Sequence, residues 1–433
     1  MWDVLLDVTI VEGPFLVTVY VLAGAAFVYL LGRSRTATWI FTVFALLLIG
    51  ALVGIAALWV AVTMLDAFGG PVSSSAWLWV PAVCAGVLLA IWNLWRSRWW
   101  RKLVAALAIP LFVVTGVLGV NAAYGIDRTL GDLVDIETAD PVPLPTPAPG
   151  EASAPVEPLY LTWQPPSDLP DQGVTGLVPG GIPSTNSGFP ARPAQIYLPP
   201  AALVENAPAL PLVIMMMGQP GEPDPYFIAE TLEAFAATHD GLAPIALVID
   251  QLGDPNEDPL CLDTARGNAE TYVMQDVVPW ARANLRVQAT ATAWTVAGYS
   301  NGGECAAYFG AKYPEAFGNI AAVAPVEWPG AERNDEVLRE VFGGMQDAYD
   351  AVKPATIMAA KAPYADSVAI FAVGEQDSAF MPGTERLAEA ALAAGMQATF
   401  FVVPDAEHDA KALLGGLEEA FRILYPRLGL AAP

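Results

Sequence analysis

The stretch "AWTVAGYSNGGECAAYFGAKYP", residues 293–314, changes character partway along. It begins as an apolar run of strand character and continues from Asn301 with the composition of a helix. Between the two, Ser300 lies among Gly298, Gly302 and Gly303 in the pattern G-x-S-x-G. A serine at a sharp strand-to-helix turn presents its hydroxyl at the end of a sheet, and only small neighbours allow so tight a turn. The same pattern also occurs in ordinary Gly-rich turns, so the reading depends on partners elsewhere in the chain.

A serine hydroxyl is a weak nucleophile until a base takes its proton, and that base is usually histidine. The chain has two histidines. His239 ends a helical segment in "AATHDG", where contact with the helix C-terminus is the ordinary explanation. His408, in "VVPDAEHDAKALL", follows the last expected strand and leads into the final helix, the place for a base; the plain alternative is a solvated loop histidine. An acid must hold the imidazole. "SVAIFAVGEQDSAF" offers Asp377 and Glu375, and Asp377 is preferred because it lies further past the strand end, with Glu375 kept as the alternative acid. An oxyanion hole needs two backbone donors: the amide of Asn301, and one from the loop "GQPGEP" after "LPLVIMMM", where Gly218 and Gln219 are both open.

The setting fits such a site. Strands are expected at 194–200, 210–217, 244–250, 293–299, 319–326, 367–374 and 398–404. Helices are expected at 226–238, 268–285, 302–313, 383–395 and 409–424. Buried apolar runs alternating with amphipathic helices imply an α/β fold with a mainly parallel sheet covered on both faces. Ligands in such sheets sit beyond the C-terminal strand ends.

The first third of the chain is different. Four apolar stretches, near 13–32, 38–64, 76–95 and 103–123, approach or exceed the roughly 20 residues that span a bilayer. They explain a mean hydropathy of +0.44 in a chain of net charge −25. Arg33, Arg35, Arg96, Arg98, Arg101 and Lys102 occupy the first and third connecting loops, whereas Asp3, Asp7, Glu12 and Asp66 lie at the N-terminus and in the second. Basic loops stay cytoplasmic, which places the N-terminus and everything after Tyr124 outside. A cleaved signal peptide is disfavoured, because acids precede the first apolar stretch and three more spans follow. The prolines of "ETADPVPLPTPAPGEASAPVEP", residues 137–158, favour an extended spacer. The expected division is thus a four-span region (1–125), a Pro-rich extracytoplasmic linker (126–158) and an α/β-hydrolase domain (159–433). The acidic balance argues against a nucleic-acid partner.

From about Gly173 to Tyr425, "PARPAQIYLPP", "GYSNGGECAAYFGAKYPEAFG", "VGEQD" and "DAEHD" resemble the putative-esterase family of α/β-hydrolases. That family includes esterase D-type enzymes and secreted mycolyltransferases, and the resemblance is greatest to actinobacterial membrane-anchored members. It implies Ser300 as nucleophile, Asp377 as acid and His408 as base. Two departures stand out: Met217-Gly218 replaces a frequent His-Gly, and some relatives use Glu as the acid, which keeps Glu375 open.

Of the three cysteines, Cys84 lies within the third span, and Cys261 and Cys305 are the pair in the outer domain, where an oxidising compartment favours a disulfide. Trp92, Trp95, Trp99 and Trp100 read as an interfacial belt, and Met215-Met216-Met217 as buried strand. Neither a metal centre nor a cofactor is expected. The expected partners are the membrane and an acyl-ester small molecule or envelope lipid or glycolipid, with the oligomeric state open. The expected activity is acyl transfer to water or to an envelope alcohol through an acyl-enzyme. The competing class is a hydrolase-like domain that only binds a lipid or a partner protein.

Overall fold

The computed structural model describes residues 5–65, 72–134, 136–145 and 157–433. The chain divides into two compact units, Met1–Thr138 and Ala139–Pro433.

The first unit contains helices α1 (Gly13–Leu31), α2 (Ala37–Trp59), α3 (Ser74–Asn93) and α4 (Trp99–Tyr124). All four are long and apolar enough to cross a membrane. Val21, Phe41, Phe44, Leu78 and Leu107 are exposed on their surfaces. Helices that stay apolar on their outward faces are compatible with a membrane anchor. Gly50 and Gly54 let α2 and α3 approach at backbone distance: a Cβ on Gly50 would stand 2.5 Å from Ala85 Cα, and one on Gly54 2.6 Å from Pro81 Cα. Small residues four apart are a recurrent device for close helix packing in membranes. Arg101 donates to Asn93 Oδ1 and to the carbonyls of Tyr29 and Leu30, which places a cation at the C-terminus of α1. After α4, Arg128 and Leu130 exchange backbone hydrogen bonds with Ile10 and Val8.

The stretch 146–156 of the Pro-rich segment lies outside the described residues. Before it, Asp140 and Val142 bond to the backbone of Leu177 at the edge of the second unit's sheet.

That sheet has eight strands: β1 (Val174–Leu177), β2 (Gln195–Leu198), β3 (Leu212–Met216), β4 (Ile245–Ile249), β5 (Trp294–Tyr299), β6 (Asn319–Val323), β7 (Val368–Gly374) and β8 (Gln397–Val403). Their order is β1-β2-β4-β3-β5-β6-β7-β8. Strand β2 runs antiparallel to β1 and β4, and the remaining pairs are parallel. All seven expected strands form, and β1 is an addition. The residues of β3, β4 and β5 are buried throughout, as continuous apolar runs covered on both faces should be. Helices α5 (Tyr226–Ala236), α6 (Asn301–Lys312), α7 (Met381–Ala393) and α8 (Ala410–Arg427) supply the cover.

The helix expected at 268–285 forms as abutting segments, with a π-helical turn at Tyr272–Val277. Pro279 explains the widening, since it has no N–H for the carbonyl of Gln275 and its ring would press on that oxygen. The freed Gln275 carbonyl instead accepts from Asn186 Nδ2 at 2.9 Å.

Candidate active site

Ser300 follows β5 directly and caps α6. Its backbone has φ 55° and ψ −117°, a conformation that costs a side-chain-bearing residue strain and needs its surroundings to enforce it. The Ser300 amide donates to Val323 O at 2.9 Å, which ties the turn to the end of β6. Two glycines are sterically required. A Cβ on Gly298 would stand 1.9 Å from Gly302 O, and one on Gly302 would stand 2.1 Å from Met216 O. The G-x-S-x-G spacing is therefore a packing requirement of the turn.

His408 reaches the serine from the loop between β8 and α8. Its Nε2 is 2.9 Å from Ser300 Oγ, and its Nδ1 is 2.8 Å from Asp377 Oδ2. The buried Asp377 follows β7, and its Oδ1 accepts from the Phe380 amide at 3.1 Å. Glu375 is exposed and serves a different group: its carboxylate accepts from the Asp405 amide at 2.9 Å, bracing the turn that leads to His408. The structure thus brings Ser300, His408 and Asp377 into one hydrogen-bonded chain and leaves Glu375 beside it. Two aromatic rings stack on the imidazole, Phe380 at 4.1 Å and Tyr299 at 5.0 Å between centroids.

The second histidine is used elsewhere. His239 Nδ1 lies 2.7 Å from Phe235 O at the end of α5, and its ring stacks on Phe235. Met215 and Met216 are fully buried strand residues.

Asn301 is the first residue of α6, so its N–H has no acceptor within the helix and faces the turn. Gly218 lies against the same turn, where a Cβ on it would stand 3.3 Å from Ser300 Cβ. Gln219 is one residue further, and its side chain donates to Pro255 O at 3.1 Å. The amide of Asn301, with that of Gly218 or Gln219 from the loop across the serine, can hold a developing oxyanion.

Beneath these amides lies a polar network that sequence reading missed. Gln251 Nε2 donates to Met217 O at 2.6 Å and to Asn301 Oδ1 at 3.0 Å. Asn301 Nδ2 then donates to Asp258 Oδ1 at 3.1 Å. One signal was available: Gln251 follows Asp250 directly after the apolar run of β4, at the strand end where α/β sheets build their sites. Asp258, Tyr299 and Phe380 had no comparable signal, because their roles depend on contacts remote in sequence.

Further along α6, Glu304 is 1% exposed. Burial pushes its carboxyl well above the ordinary value, and the nearby acids Asp258 and Glu332 add to the rise, against a hydrogen bond from the Gly330 amide. Burial likewise raises Asp258, opposed by hydrogen bonds from Leu260 and Asn301 and by Arg266 and Arg333. Cys261 and Cys305 form a disulfide that fastens the loop carrying Asp258 to α6.

The family described as "Putative esterase" matches residues 190–401. An uncharacterized protein of Corynebacterium glutamicum is 30% identical over 345 residues, covering 75% of this chain and 76% of that protein. Among solved structures, a ferulic acid esterase aligns with TM-score 0.48 and 14% identity, covering 59% of this chain and 98% of its own. An S-formylglutathione hydrolase from Agrobacterium tumefaciens aligns with TM-score 0.48 and 16% identity, covering 60% and 97%. A fluorophosphonate-binding serine hydrolase from Staphylococcus aureus aligns with TM-score 0.46 and 11% identity, covering 58% and 98%.

Proposed function

Because this chain belongs to the putative-esterase family of α/β-hydrolases, we propose that it is a membrane-anchored serine esterase or acyltransferase working through an acyl-enzyme on Ser300. The observation that carries the reading is the continuous hydrogen-bonded chain Ser300–His408–Asp377 at a strained turn.

In the first half-reaction His408 Nε2 takes the Ser300 proton as Oγ attacks the ester carbonyl. Asp377 holds Nδ1–H, which leaves Nε2 unprotonated for that task and stabilises the imidazolium that forms. The negative charge that develops on the carbonyl oxygen falls between the amide of Asn301 and that of Gly218 or Gln219. Each such donor is worth about 10²–10³ in rate. Collapse of the tetrahedral intermediate breaks the ester C–O bond, and His408 returns the proton to the departing alcohol. The second half-reaction repeats these steps with water or another alcohol attacking the acyl-Ser300 ester.

The four apolar helices and the basic residues of the first and third connecting loops support an extracytoplasmic site held at the membrane. A soluble esterase has no use for four spans. Retention beside the bilayer raises the effective concentration of a lipid or lipid-linked acceptor, which favours acyl transfer within the envelope over hydrolysis. The test supplies the full-length protein in nanodiscs with an acyl ester, with and without an envelope glycolipid or sugar acceptor. Transfer predicts an acylated acceptor and faster donor turnover. Donor turnover that ignores the acceptor, with water taking the whole acyl group, would replace transferase by esterase.

A further inference from the structure

The imidazole of His408 is held on its edges and on its faces. Its edges meet hydrogen-bond partners, Asp377 Oδ2 at Nδ1 and Ser300 Oγ at Nε2. Its faces meet aromatic rings: the Phe380 centroid is 4.1 Å away with 26° between the planes, and the Tyr299 centroid is 5.0 Å away with 28°. Two rings that close and that nearly parallel to the imidazole would collide on one face, so they take opposite faces and sandwich it. The two walls differ in origin. Tyr299 ends β5 and is buried, whereas Phe380 is half-buried at the start of α7. One short turn places both Phe380 and the acid: the Phe380 amide donates to Asp377 Oδ1 at 3.1 Å, while the other carboxylate oxygen faces His408.

We propose that Phe380 is a positioning residue for the base: its ring keeps the imidazole of His408 in the plane of its two hydrogen bonds and stabilises the imidazolium that forms when Nε2 takes the serine proton. The inference rests on the acyl-enzyme reading above and adds to it a side chain that exchanges no proton. The electron-rich face of a phenyl ring attracts a cation placed over it within about 6 Å, and more strongly where water is excluded. Only 19% of the His408 side chain is exposed, so little water competes. The imidazole is neutral while it acts as acceptor and positive once Oγ has attacked. The attraction is therefore gained as the transition state forms, and an interaction of that kind raises kcat. Stacking also opposes the one motion that in-plane hydrogen bonds resist weakly, a tilt of the ring out of their plane. Both effects act in each half-reaction, because His408 takes a proton from Ser300 in the first and from water or an alcohol in the second.

The test replaces Phe380 of the full-length protein by mono-, di- and trifluorinated phenylalanine, with Phe380→Leu and Phe380→Tyr beside them. Fluorine drains electron density from the ring face and hardly alters its shape; leucine removes the ring; tyrosine restores it. Active sites are counted by exhaustive fluorophosphonate titration, followed by p-nitrophenyl butyrate kinetics. Per titrated site, kcat should fall stepwise with each added fluorine to about 5-fold below wild type, and about 10-fold in Phe380→Leu, sizes within the worth of a cation–π contact. Phe380→Tyr should stay within about twofold of wild type, since it keeps the ring face. KM should stay within about threefold throughout, because both half-reactions slow together. A kcat per site that ignores fluorination overturns the proposal and leaves Phe380 as an apolar wall. A raised KM with kcat unchanged also overturns it, by making the ring a substrate contact. Either result leaves the acyl-enzyme reading standing, and the fluorinated proteins decide the matter even if Phe380→Leu does not fold. A wild type that neither reacts with the fluorophosphonate nor cleaves the ester would instead remove the acyl-enzyme reading, and this inference with it.

Discussion

Asp377 Oδ2 stands 2.8 Å from His408 Nδ1, whereas Glu375, two residues earlier, accepts from the amide of Asp405. Both acids follow the same strand, yet only one is buried against the imidazole. Asp377→Asn should therefore lower kcat by about 10⁴-fold, the penalty for an imidazole held in the wrong tautomer. Glu375→Gln should keep most activity and loosen only the turn before His408. Steady-state kinetics on the two variants decide the matter, and a larger loss for Glu375→Gln would transfer the role.

Glu304 gives a pH-dependent prediction. Its folded-state pKa lies well above the ordinary 4.5, because burial disfavours its charge. At low pH the carboxyl is protonated in both states and costs nothing through ionisation. As pH rises past 4.5 the unfolded chain ionises first, so the stability that the raised pKa confers is lost until the folded group ionises too. Glu304→Gln removes that loss. Thermal unfolding of the second unit should show the variant gaining on wild type as pH climbs above the unfolded glutamate value. A difference constant from acid to neutral pH would show that Glu304 is not the group responsible.

The orientation of the helices can be read with cysteines. In a Cys84→Ser background, Glu157→Cys should react with a membrane-impermeant thiol reagent in intact cells, whereas Ser34→Cys and Ser97→Cys should react only after lysis. The expectation follows from Arg33, Arg35, Arg96, Arg98, Arg101 and Lys102 remaining cytoplasmic. The opposite labelling pattern in inserted protein would invert the topology and place the site inside the cell.

The sequence made some of these features plain and hid others. The four helices are long, predominantly apolar stretches, and β3, β4 and β5 are short apolar runs, so run length and composition locate them. Ser300 was legible because the turn excludes a side chain at Gly298, against Gly302 O, and at Gly302, against Met216 O, and so leaves both glycines in the sequence. Strand β1, "VTGL", has only four residues, one of them glycine, at the sheet's edge, and carries no pattern strong enough to announce a strand. The antiparallel direction of β2 is also invisible, because an apolar run has no arrow. Gln251 and Asp258 acquire meaning only when they meet Asn301, 50 and 43 residues further along the chain. Contacts of that span are properties of the fold, and a single sequence does not display them.

Acyl transfer through a covalent intermediate requires Ser300 Oγ to carry the acyl group between donor and acceptor. Full-length protein mixed with a slowly deacylating p-nitrophenyl ester and quenched in acid should, on peptide mass spectrometry, carry one acyl group on the peptide containing Ser300. The same group should be absent from Ser300→Ala and should disappear from wild type as the ester is consumed. An acyl group found on another residue, or ester turnover that continues in folded Ser300→Ala, would rule out Ser300 as the acyl carrier.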